Sequence, residues 1–165
     1  MNKTNKRSFT TRICLMLSVV IALSILFTGC GDVKKGTKIS LEDADGLAGD
    51  TIKLPFSISD NCGLWGGQVI INYDSSAIEF ESCTNGVVFD MCDYNDNKGQ
   101  LSLVVTQFDE NDTKDNGLIA TLNFKIKDIA DDGEYKISFD TNTNFSNIEG
   151  ELKEISFEDC TITVK

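Results

Sequence analysis

The sequence predicts an all-β fold, an antiparallel β-sandwich, and three observations carry that expectation. Beyond residue 37, apolar residues recur at every second position in nearly every segment, the period of a strand with one buried face. Turn pairs containing glycine separate these runs, at Asp45-Gly46, Asn85-Gly86, Lys98-Gly99, Asn116-Gly117 and Asp132-Gly133. No segment sustains the 3.6-residue period of an amphipathic helix. Short strands at this spacing are what two packed antiparallel sheets require.

Taken in order, Ile39 and Leu41 begin the pattern. Ile52, Leu54, Phe56 and Ile58 then alternate with Thr51, Lys53, Pro55 and Ser57. Pro55, the only proline, lacks an amide donor, so it predicts a sheet edge or a bulge at that point. Val69, Ile71 and Tyr73 form the next run, followed by Ile78 and Phe80. Leu101, Leu103 and Val105 precede a long run through Leu118, Ala120, Leu122, Phe124 and Ile126. Tyr135, Ile137 and Phe139 make another, and Cys160, Ile162 and Val164 the last.

The first 29 residues read differently. Lys3, Lys6, Arg7 and Arg12 form a basic head, and residues 13–27 are almost entirely apolar. That run is short for a span of about 20 residues, which makes it the core of a signal peptide. It ends in Phe27-Thr28-Gly29-Cys30, similar to a bacterial lipobox. Small residues admit the backbone to the peptidase, and only a thiol accepts the diacylglycerol, so Cys30 is the expected lipid attachment site. The alternatives are a plain cleaved signal with an incidental cysteine, or an uncleaved anchor. The expected organisation is therefore a removed signal peptide (1–29), a lipid-anchored tether (30–36) and one β-sandwich domain (37–165). From Cys30 to Thr37 the tether reaches at most about 25 Å, which keeps the domain at the outer face of the cell membrane.

Cleavage leaves 136 residues, enough for one core. They carry 11 Lys and Arg against 26 Asp and Glu, a net charge of −15. Such a surface repels nucleic acid and anionic headgroups, leaving lipid as the expected membrane contact. With Cys14 removed and Cys30 taken by lipid, four cysteines remain. An even number outside the cytoplasm predicts disulfides; Cys83 and Cys92 flank the Asn85-Gly86 turn, giving 83–92 and, by remainder, Cys62–Cys160. Reduced, inert thiols are the alternative. A zinc site is disfavoured because the chain has neither a CxxC spacing nor a histidine.

No histidine also means no Ser-His-Asp or Cys-His arrangement, and no phosphate-binding glycine loop follows a strand. Glu79 and Glu81 share a strand face at about 7 Å, a solvated acidic face and not a glycosidase pair. No enzyme activity and no cofactor are expected. Asp109, Glu110, Asp112 and Asp115 cluster in one loop and are weak calcium candidates, because they lack the spacing of an EF-hand. Sugar binding calls for exposed aromatic faces; Trp65 and Tyr94 are the two candidates outside the core phase.

Three ordered stretches resemble cohesin domains: "GDTIKLPFSI" (49–58), "GGQVIINYDSSAIEF" (66–80) and "NGLIATLNFKIK" (116–127). The resemblance covers about residues 37 to 165. It implies a nine-stranded sandwich of jelly-roll topology, related in fold to carbohydrate-binding modules. It further implies a cell-surface scaffold that binds calcium-loaded dockerins of polysaccharide-degrading enzymes. The implied partner-binding face presents Gly66, Gln68, Ile70 and Asn72 from the third strand and Ser102, Val104, Thr106 and Phe108 from the sixth. Where the family places an asparagine and an aspartate at the start of the third strand, this chain has Gly66 and Gln68. The alternative functions are a surface carbohydrate-binding module and a structural lipoprotein without dockerin binding.

Overall fold

The β-branched and aromatic residues of the alternating runs do form strands, and their inward halves fuse into one core. The computed structural model describes residues 36–165; the signal peptide, Cys30 and most of the tether lie outside the described residues. No described segment is a helix long and apolar enough to cross a membrane.

Twelve strands form among the described residues: β1 (Thr37–Leu41), β2 (Ala44–Gly46), β3 (Thr51–Ser59), β4 (Gly66–Asn72), β5 (Ile78–Asn85), β6 (Met91–Asp96), β7 (Gln100–Thr106), β8 (Gly117–Ile126), β9 (Gly133–Phe139), β10 (Asn144–Ser146), β11 (Ile155–Glu158) and β12 (Cys160–Val164). One sheet runs β11-β1-β3-β8-β5. The other runs β2-β12-β9-β4-β7-β6, with β10 alongside β4. The sandwich is as expected; the strand inventory is richer than nine. Three of the additions, β2, β10 and β11, are three or four residues long, too short to show a period.

Most pairings are antiparallel, but β1–β11 and β2–β12 run parallel. The first two strands and the last two each place one member in each sheet. The pair Asp45-Gly46, expected as a turn, instead lies within β2, where Gly46 pairs with Val164. The turn follows at Leu47, whose carbonyl accepts from Asp50 N–H at 3.0 Å. Lys98-Gly99 is a turn as expected, with φ of 45° and 112°, the left-handed values a tight hairpin needs. Pro55 lies one residue beyond the last β1 partner, Leu41↔Phe56, and next to the register shift at Phe56/Ser57. β3 is an inner strand with Pro55 opposite Thr121 of β8, so the proline stands beside a bulge and not at a sheet edge.

Between the sheets lie Ile39, Leu54, Phe56, Ile78, Leu122 and Phe124 from one side and Val69, Ile71, Leu101, Leu103, Ile137 and Ile162 from the other, all at 0% exposure. Each such side chain contributes roughly 1.5–3 kcal/mol of burial free energy. Phe124 anchors the aromatic centre, with Tyr73 and Phe80 edge-on at 5.3 Å each.

At the open edge formed by β5 and β6, three side chains of β6 point inward in alternation. Cys92 meets Cys83, with sulfurs 3.3 Å apart. Tyr94 stands edge-on to Phe80 at 5.1 Å, and Asp96 accepts the Tyr73 hydroxyl hydrogen bond at 2.7 Å. These contacts close a side of the sandwich that backbone ladders leave open.

Candidate functional site

The inward residues of β4 and β7 fix what their outward residues can do. Because Val69, Ile71, Leu101, Leu103 and Val105 are buried, the alternate positions must face away from the core. The register sets them side by side: Gly66↔Thr106, Gln68↔Val104, Ile70↔Ser102 and Asn72↔Gln100. Seven of the eight expected face residues are thus assembled on two paired strands. Val104 is 49% exposed at the centre, and Ile70, its diagonal neighbour, is partly buried beside it.

Phe108 departs from the expectation. β7 ends at Thr106; the Gln107 N–H still donates to the Trp65 carbonyl at 2.8 Å, one step further along the register, and its side-chain amide donates to the Val88 carbonyl at 2.6 Å. Phe108 therefore sits in the loop at the Gly66 end of the face, 70% exposed, its N–H donating to Asp90 Oδ2 at 2.8 Å.

Two neighbouring strands widen the face beyond the sequence expectation. β6 adds Met91, Asp93 and Asn95, opposite Thr106, Val104 and Ser102. β10 adds Asn144 opposite Gln68 and Ser146 opposite Gly66. Neither strand was legible by period: the outward residues of β6 are polar or charged save Met91, and β10 has three residues. Across β4, β6, β7 and β10 there is no lysine or arginine.

The two glycines that open β4 have a steric cause. A Cβ on Gly66 would lie 2.6 Å from the Val105 carbonyl oxygen, and one on Gly67 would lie 2.5 Å from the Phe145 ring. β7 and β10 close in on β4 from its two sides, so residue 66 has no room for a polar side chain. Gln68 is the first position on β4 with an exposed one.

Where β9 parts from β4, the turn before β10 takes over. Asp140 N–H donates to the Ile70 carbonyl at 2.8 Å, and Thr143 bonds the Ile70 backbone through its hydroxyl. Asn72 is committed to the fold: its amide donates to Asp140 Oδ2 at 3.1 Å, and its oxygen accepts from Gln100 at 3.1 Å. Hydrogen bonds from the Asn142 N–H and then the Asn72 and Asn142 amides hold the Asp140 carboxyl below the usual range.

The remaining candidates scatter. Asp112 Oδ1 accepts from Ile148 N–H at 2.7 Å, and among the described residues no three acidic, cysteine or histidine side chains gather as a metal site, so the loop of Asp109, Glu110, Asp112 and Asp115 is not assembled as one. Glu81 accepts from the Thr51 hydroxyl at 3.0 Å on an exposed strand face. Trp65 donates its indole N–H to the Asp109 carbonyl at 2.9 Å, while Tyr94 packs on Phe80, so the two do not make a stacking platform. Cys62 lies at the Thr37 end of β1, its N–H donating to Thr37 Oγ1 at 2.9 Å. Cys160 lies at the other end, beside Asp43, which accepts from Thr161 N–H at 2.7 Å. A five-residue strand of about 13 Å separates those ends, so the structure does not bring Cys62 and Cys160 together. Burial raises the Cys160 thiol to about 12.

Comparison with known proteins bears on this face. No curated protein sequence matches the chain. Among solved structures, a cohesin of Clostridium acetobutylicum is similar at 22% identity and a TM-score of 0.70, covering 79% of this chain and 91% of that one. A cohesin solved in complex with a dockerin, from Clostridium thermocellum, gives 13% identity and a TM-score of 0.72, covering 79% and 100%. A cohesin described as non-cellulosomal, from the archaeon Archaeoglobus fulgidus, gives 17% and 0.69, covering 79% and 91%. These likenesses establish the fold. The model of the cohesin domain family matches residues 37–164, nearly the whole described region, and the chain belongs to the cohesin family.

Proposed function

We propose that this chain is a cohesin module held at the outer face of the cell membrane by lipid on Cys30, and that it captures dockerin-bearing proteins on the outer face of β4, β6, β7 and β10. Cohesin domains are non-catalytic scaffold modules, and the chain is accordingly not an enzyme. One observation carries the choice of face: Val104 stands 49% exposed in mid-strand, with Ile70 diagonal to it, on a ladder without lysine or arginine. An apolar centre with a polar rim is the anatomy of a protein-binding patch. Complementarity asks for a partner with an apolar contact residue among basic ones. The attached enzymes would act on polysaccharide, and a tether of about 25 Å makes them come to the membrane.

Calorimetry of the chain against the calcium-loaded dockerins of its own genome tests the reading, with plant oligosaccharides alongside. Saturable binding to at least one dockerin, competed by none of the sugars, is the expected result. Sugar binding without any dockerin binding overturns it.

A further inference from the structure

Nothing in a binding role calls for two cysteines on facing edge strands, yet Cys83 on β5 and Cys92 on β6 hold their sulfurs 3.3 Å apart. These strands belong to different sheets, and each is the last strand of its sheet. Cys83 is opposite Leu122, and Cys92 is opposite Val105, so both side chains enter the seam between the layers. Asn85 aligns the same seam: its Oδ1 accepts from Cys92 N–H at 3.2 Å and its amide donates to the Asp90 carbonyl at 3.3 Å. Both cysteines are partly buried at the outermost edge, within reach of a small reagent.

We propose that Cys83 and Cys92 form a redox-reactive dithiol that a small-molecule disulfide of the glutathione class converts into a covalent staple between the two sheets. About 1.3 Å of further approach brings the sulfurs to bonding distance. The Cys83 sulfur attacks as thiolate on one sulfur of the small disulfide; that S–S bond breaks and one small thiol leaves with the Cys83 proton. Cys92, deprotonated in turn, attacks the Cys83 sulfur and expels the second small thiol. Two protein thiols lose two electrons, and one small disulfide becomes two thiols.

The order of attack follows from the site. The hydrogen bond from Cys92 favours thiolate at Cys83 and pulls that thiol below its ordinary range. The same bond, then burial, then the negative charges of Cys83 and Asp93, push the Cys92 thiol up. Once Cys83 is capped, the charge that held the Cys92 proton is gone, which readies Cys92 for the second step. The inference is independent of which partner the outer face binds.

The test uses the full chain in detergent, equilibrated with oxidised glutathione and mapped by mass spectrometry. Cys83–Cys92 is the expected crosslink, reversed by reductant, with a higher urea midpoint for the oxidised protein. Cys92→Ser and Cys92→Ala should both stop at glutathione on Cys83. Cys83→Ser should leave Cys92 at least 10-fold slower to modify than Cys83 in the parent chain. A chain that stays reduced, a crosslink to Cys62 or Cys160, equal reactivity of Cys92 without Cys83, or a lower urea midpoint on oxidation each overturns the proposal.

Discussion

The Thr143 hydroxyl grips both backbone polar groups of Ile70, accepting from its N–H at 2.9 Å and donating to its carbonyl at 3.1 Å. It stands where a strand would otherwise pair, in the gap between β9 and β10. A residue 73 positions away thus holds in place the strand carrying the apolar patch. Thr143 is 8% exposed, so neither group it serves has water as a ready substitute.

Replacing Thr143 by valine keeps the shape and removes both bonds. It should lower stability by about 1–3 kcal/mol. Urea denaturation reads the loss, and amide hydrogen exchange should rise at Ile70 before it rises at Val69 or Ile71, whose side chains stay in the core.

Charge placed on the patch should cost binding without costing the fold. Val104→Asp, alone and with Ile70→Asp, should weaken the dockerin interaction by roughly 30-fold or more, the mark of a central contact. The circular dichroism of both variants should match that of the parent. Phe108→Asp, in the loop beyond β7, tests whether the patch extends past the ladder. It should have the smaller effect.

Alkaline stability should report on the Tyr73–Asp96 bond. Burial first, then the hydrogen bond to Asp96, raise the Tyr73 hydroxyl from 10.0 to about 12. A folded-state value above the unfolded one favours the protonated form in the fold. The contribution is therefore complete below pH 10 and is lost as pH rises from about 10 to 12. Two units correspond to about 3 kcal/mol at the limit. Urea titrations at pH 9 to 12 should show the advantage of the parent over Tyr73→Phe shrinking across that window; a constant gap would end the argument.

The anchor can be tested apart from the domain. Cys30→Ala removes the proposed lipid acceptor, so labelled fatty acid should no longer enter the protein and detergent partitioning should shift to the aqueous phase. Unchanged labelling would reassign residues 1–29.

What the sequence revealed and hid has a physical pattern. Wherever one strand face is buried and the other wet, as in β3, β4, β7 and β8, the period of two names both the core and the outward set. Gln68, Ile70, Ser102 and Val104 were therefore legible as neighbours once β4 and β7 were paired. β6 escaped because its inward residues are Cys92, Tyr94 and Asp96, a thiol, a phenol and a carboxylate in place of aliphatics. Its inward order rests on partners from other strands, which no local pattern encodes. Gly66 escaped for a related reason: its smallness answers the carbonyl of Val105, 39 positions later in the chain. Phe108 continued the β7 alternation by sequence, but β7 ends at Thr106 and the Phe108 N–H is taken by the Asp90 carboxylate instead of a strand partner.

The parallel pairing of β1 with β11 has a mechanical consequence. Suppose tension enters upstream of Thr37 and leaves downstream of Val164. It then pulls β1 by its leading end and β12 by its trailing end, reaching β11 only through β12 and Asp159, and parallel strands loaded from opposite ends slide lengthwise past each other. The ladder from Thr37↔Ile155 to Ser40↔Glu158 must then yield as a set, whereas a hairpin pulled from its open end peels one bond at a time. The β2–β12 pair sits in the same geometry in the opposite sheet. A traction load along the chain thus meets two shear joints, one in each layer, before it reaches the strands that carry the patch.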